Sequence, residues 1–402
     1  MGADYDVIVI GAGHNGLATA AYLLKAGLSV CVLESYSRVG GGLLTEEVTL
    51  PGFKHDLHSI AHSIVRGNPM IANDELGLIS RYGLEYIVPD AQIATPFPDG
   101  KSIIIYKDFD RTCENIAHVS PEDAKAYAKF KSWGEELFKL MSVFGGRYDP
   151  PLEFSIEPEE GLAQVRQLPD IIRRMGSLRR WNPGSLFNLL NMSALDMFDY
   201  WFSDPHLKAV LAKYAAEWTV RPDRPGTALT AAIALLGNHF IGGGLPKGGS
   251  GALPEALKRS VLDQGGKVLT NSEVVRVIVD KSGARGVALK DGTEITAQKA
   301  VVSCVNVKQL FQDLISREYL SAEFVSRVRR IKLSEFSEMN IHYAINDAPV
   351  YINDNDGEIG KALRVELAPS VDALIQELDD IKACLKFAAT LMGNSYSIFT
   401  VA

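Results

Sequence analysis

An α/β fold is predicted, with one strand-rich part divided along the chain by a largely helical insertion. Three observations carry this: a strand, a glycine turn and a helix open the chain, large apolar residues recur at helical spacing through the middle, and β-branched strands return after Gly242. At roughly 150 residues per domain, the 402 residues suit two or three domains, and 47% apolar content is ample for their cores.

Residues 5–10, YDVIVI, are a short β-branched run, and GAGHNG follows at once from Gly11 to Gly16. Strong helix formers then extend from Asn15 to Ala26, and Gly27 stands where a left-handed C-cap belongs. A second strand, Ser29 to Leu33, ends in Glu34, so the first 34 residues read as one βαβ unit. Arg38 and the glycines at 40–42 form a second flexible loop beside the first. Ser120-Pro121-Glu122-Asp123 reads as an N-cap with proline at the first helical position, before Tyr127, Phe130, Trp133, Leu137, Leu140 and Phe144 on one helix face. Proline and glycine clusters cut 150–240 into short helices.

After GGGLPKGGSG, which starts at Gly242, a helix is expected from about Pro254 to Gln264. KVLT, VVRVIVD, RGVALKD and EITAQKAVVS then read as a meander of strands. A further strand is expected at 339–344 and a helix at 370–383. The domain boundaries drawn from this are 1–80 with 242–310 for the strand-rich domain, and 81–241 with 311–402 for the second, largely helical in 120–241.

Forty-one basic against 49 acidic residues, a formal charge of −8, supply no global positive field, so nucleic acid is not an expected partner. Cys31, Cys113, Cys304 and Cys384 lie far apart with no C-x-x-C pair, which argues against a metal site or a disulfide framework and for the reduced thiols of a cytoplasmic protein. The opening residues lack a signal-peptide pattern, and no apolar run reaches the roughly eighteen residues of a membrane helix. Arg166, Arg173, Arg174, Arg179 and Arg180, with apolar residues between them, suit either peripheral contact with an anionic membrane or a solvated helix face.

A lone G-x-G-x-x-G is a weak signal, but here strand, helix and acid stand in register with it. Gly11 would make the tight turn, Gly13 would admit a pyrophosphate close to the backbone, and Gly16 would let the helix pack on the strand. The phosphates would sit on N–H groups at the positive end of the helix dipole. Glu34 closes the second strand, where a carboxylate accepts from ribose hydroxyls and repels a 2′-phosphate. Lys247 in LPKGGSG lacks the spacing of a P-loop.

The segments GAGHNGLATAAYLLKAGLSVCVLE at 11–34, RVGGGLLTEE at 38–47, LPGFKHD at 50–56, TCENIAHVSPEDAKAY at 112–127 and GGLPKGGSGALPEAL at 243–257 carry a specific likeness. In them the chain resembles the phytoene desaturase-like FAD-dependent oxidoreductases, above all the desaturase-type bacterial carotenoid ketolases and their pyridine nucleotide-disulfide oxidoreductase-like relatives. The resemblance implies a glutathione-reductase-like, Rossmann-type FAD-binding domain interleaved with a mixed helical and sheet substrate domain. It implies that Gly11, Gly13 and Gly16 hold the pyrophosphate, Glu34 the adenosine ribose, and Arg38, Gly41 and Gly42 the pyrophosphate and ribityl side. Val274 would meet the adenine through its backbone, although a valine opening a strand is ordinarily sheet core.

With FAD as hydride acceptor, the protein need supply only orientation, a dry pocket and at most one base. His55, His58 and His62, with Asp56 among them, are spaced to suit one polar helix face, and His62, His58 and Asp56 are the candidate catalytic residues. The resemblance implies no metal there. Trp201, Phe202, Trp218 and His239 offer walls for a long hydrophobic substrate of the isoprenoid kind, and plain core packing explains the same residues. The expected activity is dehydrogenation or oxygenation of such a molecule. A non-catalytic prenyl carrier of the Rab GDP-dissociation-inhibitor type is the alternative on the same fold. Relatives also carry a C-terminal segment of the type PGGG-x-x-G, absent here; the chain stops at 397–402 in a strand-like run, so a longer protein is expected.

Overall fold

The computed structural model describes residues 3–145, 183–219, 221–332, 340–351, 354 and 357–392. Tyr5–Ile10 (β1) is apolar over its last four residues because both faces are covered there: Val7, Ile8, Val9 and Ile10 are all buried. Val7 and Val9 join Leu17, Ala20 and Ala21 of the helix His14–Lys25 (α1) and Leu253, Leu257 and Val261 of the helix Ala252–Asp263. Ile8 and Ile10 join Val277, Val287 and Leu289 in a second core. Val30–Leu33 (β2) repeats the division, Val30 and Val32 in the first core, Cys31 and Leu33 in the second. Each such aliphatic burial is worth about 1.5–3 kcal/mol, so the strand that ends at the glycine loop is firmly held.

β1 and β2 pair in parallel across α1, a Rossmann-type unit in an α/β fold. Helix α1 ends as its sequence requires: the Gly27 N–H donates to the Leu24 carbonyl and the Leu28 N–H to that of Leu23, with Gly27 at φ +85°. This is the two-bond C-terminal motif that a left-handed glycine permits.

The six-stranded sheet runs Val274–Asp280, Gly283–Leu289, Glu294–Ser303, β1, β2, Lys267–Leu269. The first three strands form the expected meander, and Glu294–Ser303 returns parallel to β1. KVLT does not belong to that meander. Lys267–Leu269 lies at the opposite edge, parallel to β2. The turn residues after it carry the chain across the sheet end rather than into a hairpin: Asn271, at φ +51°, donates its N–H to the Tyr36 carbonyl, and Ser272 donates to that of Glu34.

The described residues divide into two compact units, one drawn from 3–88 and 243–347, the other from 89–242 and 348–391. The sequence places boundaries at 80, 242 and 310; the segment after 310 stays with the first unit because Leu314 is buried in the core beneath the meander.

The second unit has a three-stranded sheet ordered Arg364–Val365, Ala91–Pro96, Ser102–Tyr106, and helices that include Pro121–Gly145, Ala194–Trp201, Pro205–Thr219 and Ala228–Phe240. Ser120 Oγ accepts from the Asp123 N–H at 3.2 Å, as its sequence predicts. The buried Asp123 carboxylate then accepts from the N–H groups of Ser203 at 3.0 Å and Asp204 at 2.6 Å, tying the start of one helix to the start of another. The strand expected at 339–344 is not formed by the described residues 340–344. Alternation makes a strand only where an edge is free to pair, and Ile341 and Tyr343 remain exposed. The expected helix near the end is longer, Val371–Met392. The basic stretch at 166–181 and the run at 397–402 lie outside the described residues. Among the described residues, no helix is long and apolar enough to cross a membrane.

Two glycines of the βαβ unit should respond differently to a methyl group. A Cβ at Gly16 would lie 2.0 Å from the Gly11 carbonyl oxygen, whereas one at Gly27 would meet nothing within 4 Å. Gly16→Ala is expected to cost about 2–4 kcal/mol by forcing helix and strand apart. Gly27→Ala should cost about 1 kcal/mol, for backbone strain alone. Urea unfolding followed by far-ultraviolet circular dichroism checks the order.

Candidate cofactor site

At the end of β1 the chain turns through Gly11 at φ +96°, a conformation glycine enters without strain. Gly16 serves contact, since only a residue without Cβ lets α1 approach the Gly11 carbonyl. Gly13 is a different case. Its φ of −68° suits any residue, and a Cβ there would meet nothing among the described residues closer than 3.9 Å. The fold gives no reason of its own for glycine at 13; a ligand lying against this backbone does. No side chain caps α1 at Gly13, so the first-turn N–H groups are left for an anion.

The second glycine loop crosses the first. Gly40 pairs with Gly13 as a parallel bridge, and its N–H donates to the Ala12 carbonyl at 2.9 Å. At φ +138°, with a Cβ position 2.5 Å from the Leu43 carbonyl oxygen, Gly40 admits no other residue. Sequence reasoning selects Gly41 and Gly42 and misses Gly40, although the run of three glycines is a signal. Gly41, at φ +60°, sets its Cβ position 3.2 Å from the Gly13 Cα, and Gly42 borders open space. Arg38 is half exposed and pairs with Glu46 at 3.1 Å. One Glu34 carboxylate oxygen accepts from the Ala12 N–H at 2.8 Å; the other accepts from the Tyr36 N–H at 2.9 Å. Val274 is buried in the sheet core opposite Leu289, two residues after the Ser272 link to Glu34.

The histidines do not share a helix face. His55–Asp56 is a short strand paired with Thr45–Glu46, and 57–62 is a loop, because Asp56 is committed elsewhere. Its carboxylate accepts from Thr45 Oγ1 at 2.5 Å and from the Ser250 N–H at 2.7 Å, while Thr45 Oγ1 accepts from the Gly251 N–H at 2.9 Å. A Cβ at Gly249 would strike Thr45 and Asp56, and one at Gly251 would lie 3.2 Å from Thr45 Oγ1, so these two glycines of LPKGGSG serve the clamp. His58 is exposed, and His55 Nε2 meets Thr49 Oγ1 at 2.7 Å.

His62 is buried, and its backbone forms a bridge with Gly244. Its Nδ1 lies 2.9 Å from the Tyr86 hydroxyl, and its Nε2 is buried with no hydrogen-bond partner among the described residues. Burial pushes the imidazole down to about 4, against the nearby Asp56 carboxylate. Burial also holds the Tyr86 phenol above its usual range, so it stays protonated and holds the ring through Nδ1.

The remaining candidates lie in the second unit. Phe202 is buried among Tyr127 and Phe130, Trp201 meets Phe130 edge-on at 5.5 Å, and Trp218 meets Tyr214 at 6.3 Å. His239 joins Tyr127 through Nε2 at 2.9 Å, and burial pushes it down to about 4.

The family described as flavin containing amine oxidoreductase matches residues 16–344, well over half of the chain. The chain belongs to this family. Its cofactor is FAD, and the flavin containing amine oxidoreductase assignment fits a cradle in which Gly13 is left bare by the fold itself. The chain is 28% identical over 350 residues to pyridine nucleotide-disulfide oxidoreductase domain-containing protein 2 of Rattus norvegicus, covering 82% of this chain and 58% of that protein. It is 29% identical over 324 residues to one of the polypeptides of limonene dehydrogenase from Castellaniella defragrans, covering 78% and 54%. The chain thus spans little more than half the length of these relatives. A solved structure of a putrescine oxidase double mutant shares the fold, with 20% identity and a TM-score of 0.50 over 81% of this chain and 63% of that one.

Gly13→Ala should leave the far-ultraviolet spectrum and unfolding midpoint near those of the parent while flavin retained on purification falls by about tenfold or more. Full flavin content in a folded variant would count against this loop as the pyrophosphate cradle. The pH response follows from His62. Its folded value lies near 4, below the ordinary 6.5, so between these values the unfolded chain binds a proton that the folded chain does not. Stability should therefore fall on acidification through that window, by up to about 1.4 kcal/mol per pH unit per histidine, with His239 adding in the same sense. His62→Gln should flatten the fall, as urea titrations at pH 7 and pH 5 would show.

Proposed function

We propose that this FAD-dependent oxidoreductase dehydrogenates a hydrophobic small molecule of the isoprenoid class. The observation that carries the cofactor half is Gly13, a glycine that the fold does not need and a bound dinucleotide does. For the substrate half, support comes from relatives whose names state limonene, retinol and prolycopene as substrates, at 26–29% identity. The likeness to putrescine oxidase is one of fold.

When bound, the flavin supplies a hydride acceptor. The chain's own residues do the rest. Gly11 and Gly16 shape the loop, the first-turn N–H groups of α1 hold the pyrophosphate, and Glu34 accepts from ribose hydroxyls. Arg38, Gly41, Gly42 and the Val274 backbone complete the cofactor contacts in this reading. His62 is too weakly basic at neutral pH to abstract a proton efficiently. Its buried Nε2, unpartnered among the described residues, suits a hydrogen bond to a bound group, with Tyr86 fixing the ring. Asp56 is a positioning residue that clamps the 249–251 loop, and exposed His58 has the weakest case of the three.

In the second unit, Trp201 and Trp218 keep partly exposed surface that an apolar substrate would cover, while Phe202 and His239 pack against Tyr127. The strand-rich domain would hold FAD and the other domain the substrate. A lipophilic substrate partitions into membranes, so peripheral contact from the cytoplasmic side belongs to the proposal.

The test is anaerobic addition of limonene, retinol, a lycopene isomer or putrescine to the purified flavoprotein. Loss of the oxidised flavin band with an isoprenoid and not with putrescine is expected. Bleaching by the amine alone would overturn the substrate class. Protein that binds an isoprenoid yet retains no flavin would point to the prenyl-carrier alternative.

A further inference from the structure

The strand-rich unit carries a hollow lined by none of the glycine-loop residues. It measures about 330 Å³ and is walled by the strand Val274–Asp280, the π-helical turn Leu310–Leu314, the residues after that turn and the helix Ala322–Arg330. Arg276, Arg317 and Arg329 reach it from three separate elements, in a chain whose net charge is −8.

Ordinary pairing does not account for this convergence. Arg276 meets Glu294 at 3.0 Å, but Arg317 and Arg329 have no acid within ion-pair distance among the described residues, although Asp313 stands on the same wall. A cation in the last turn of Ala322–Arg330 complements the helix dipole, which explains Arg329. Arg317 opens a short 3₁₀ turn, where a cation has no such reason. Phe311 packs edge-on against Phe324 at 4.8 Å and gives the hollow an apolar side. Val275, Tyr319 and Ile331, on these same elements or beside them, are exposed. A π-helical turn in the wall is a further mark of a functional position.

We propose that this hollow is an anion site for a phosphate monoester, the chemistry shared by a phosphatidic-acid headgroup and a soluble organic phosphate. Planar guanidinium forks arriving from different directions bracket a tetrahedral oxyanion with charge-assisted hydrogen bonds, which a single lysine does not do. The volume is at the small end of ligand pockets, enough for a headgroup and too small for a whole lipid.

The experiment uses the flavin-loaded full chain with inorganic phosphate and with three vesicle types: phosphatidylcholine alone, and phosphatidylcholine carrying phosphatidic acid or phosphatidylserine at equal charge. Binding to the phosphatidic-acid vesicles, competed by inorganic phosphate, supports the site with a lipid source. Phosphate binding without vesicle binding supports it with a soluble source. In either case Arg317→Gln with Arg329→Gln should weaken binding by about tenfold or more at unchanged flavin content, and each single substitution should cost less, which covers a double variant that fails to fold. The proposal is overturned by no binding of phosphate or vesicle, by equal binding to phosphatidylserine, or by folded variants that bind like the parent.

Discussion

Everything at the cofactor site depends on how closely one helix sits on one strand. The Gly16 backbone occupies space that a methyl group would share with the Gly11 carbonyl. That contact aims the first turn of α1, and its unpaired N–H groups with it, at the end of β1. The apolar side chains of β1 and β2, divided by alternation between two cores, hold the strand against which the helix is set. Remove the contact and the core could still form, but the loop would lose its shape.

The βαβ unit is legible in the sequence because its determinants are local. Alternating β-branched residues, a glycine turn, helix formers and a C-capping glycine act within a few residues of one another. The strand order is harder to read. Lys267–Leu269 and Val274–Asp280 are separated by four residues yet stand at opposite edges of the sheet. Only long-range pairing decides which edge a short strand joins. The Asp56 clamp is illegible for the same reason: Thr45, Asp56 and Ser250 are brought together across nearly two hundred residues, and nothing in their own neighbourhoods announces it.

The histidines show how burial changes a chemical reading. Sequence spacing offers three imidazoles, a side chain whose chemistry in general includes proton transfer. Burial separates them. His62 loses basicity and keeps a buried Nε2 with no partner among the described residues, His55 engages Thr49, and His58 faces solvent. A residue type specifies a repertoire, and the dielectric around it selects from that repertoire.

Glu34 has a consequence of its own. Its two oxygens already accept from Ala12 and Tyr36 N–H groups, so the carboxylate braces the very turn beside which a nucleotide would lie. A ribose arriving there would bond the lone pairs that those two donors leave over, since each carboxylate oxygen can accept more than once. What the chain offers is preorganisation: the turn is rigid before the ligand arrives, and the ordering entropy has been met during folding. Selectivity at that point would rest on what the braced carboxylate rejects, a second phosphate on the ribose, more than on what it attracts.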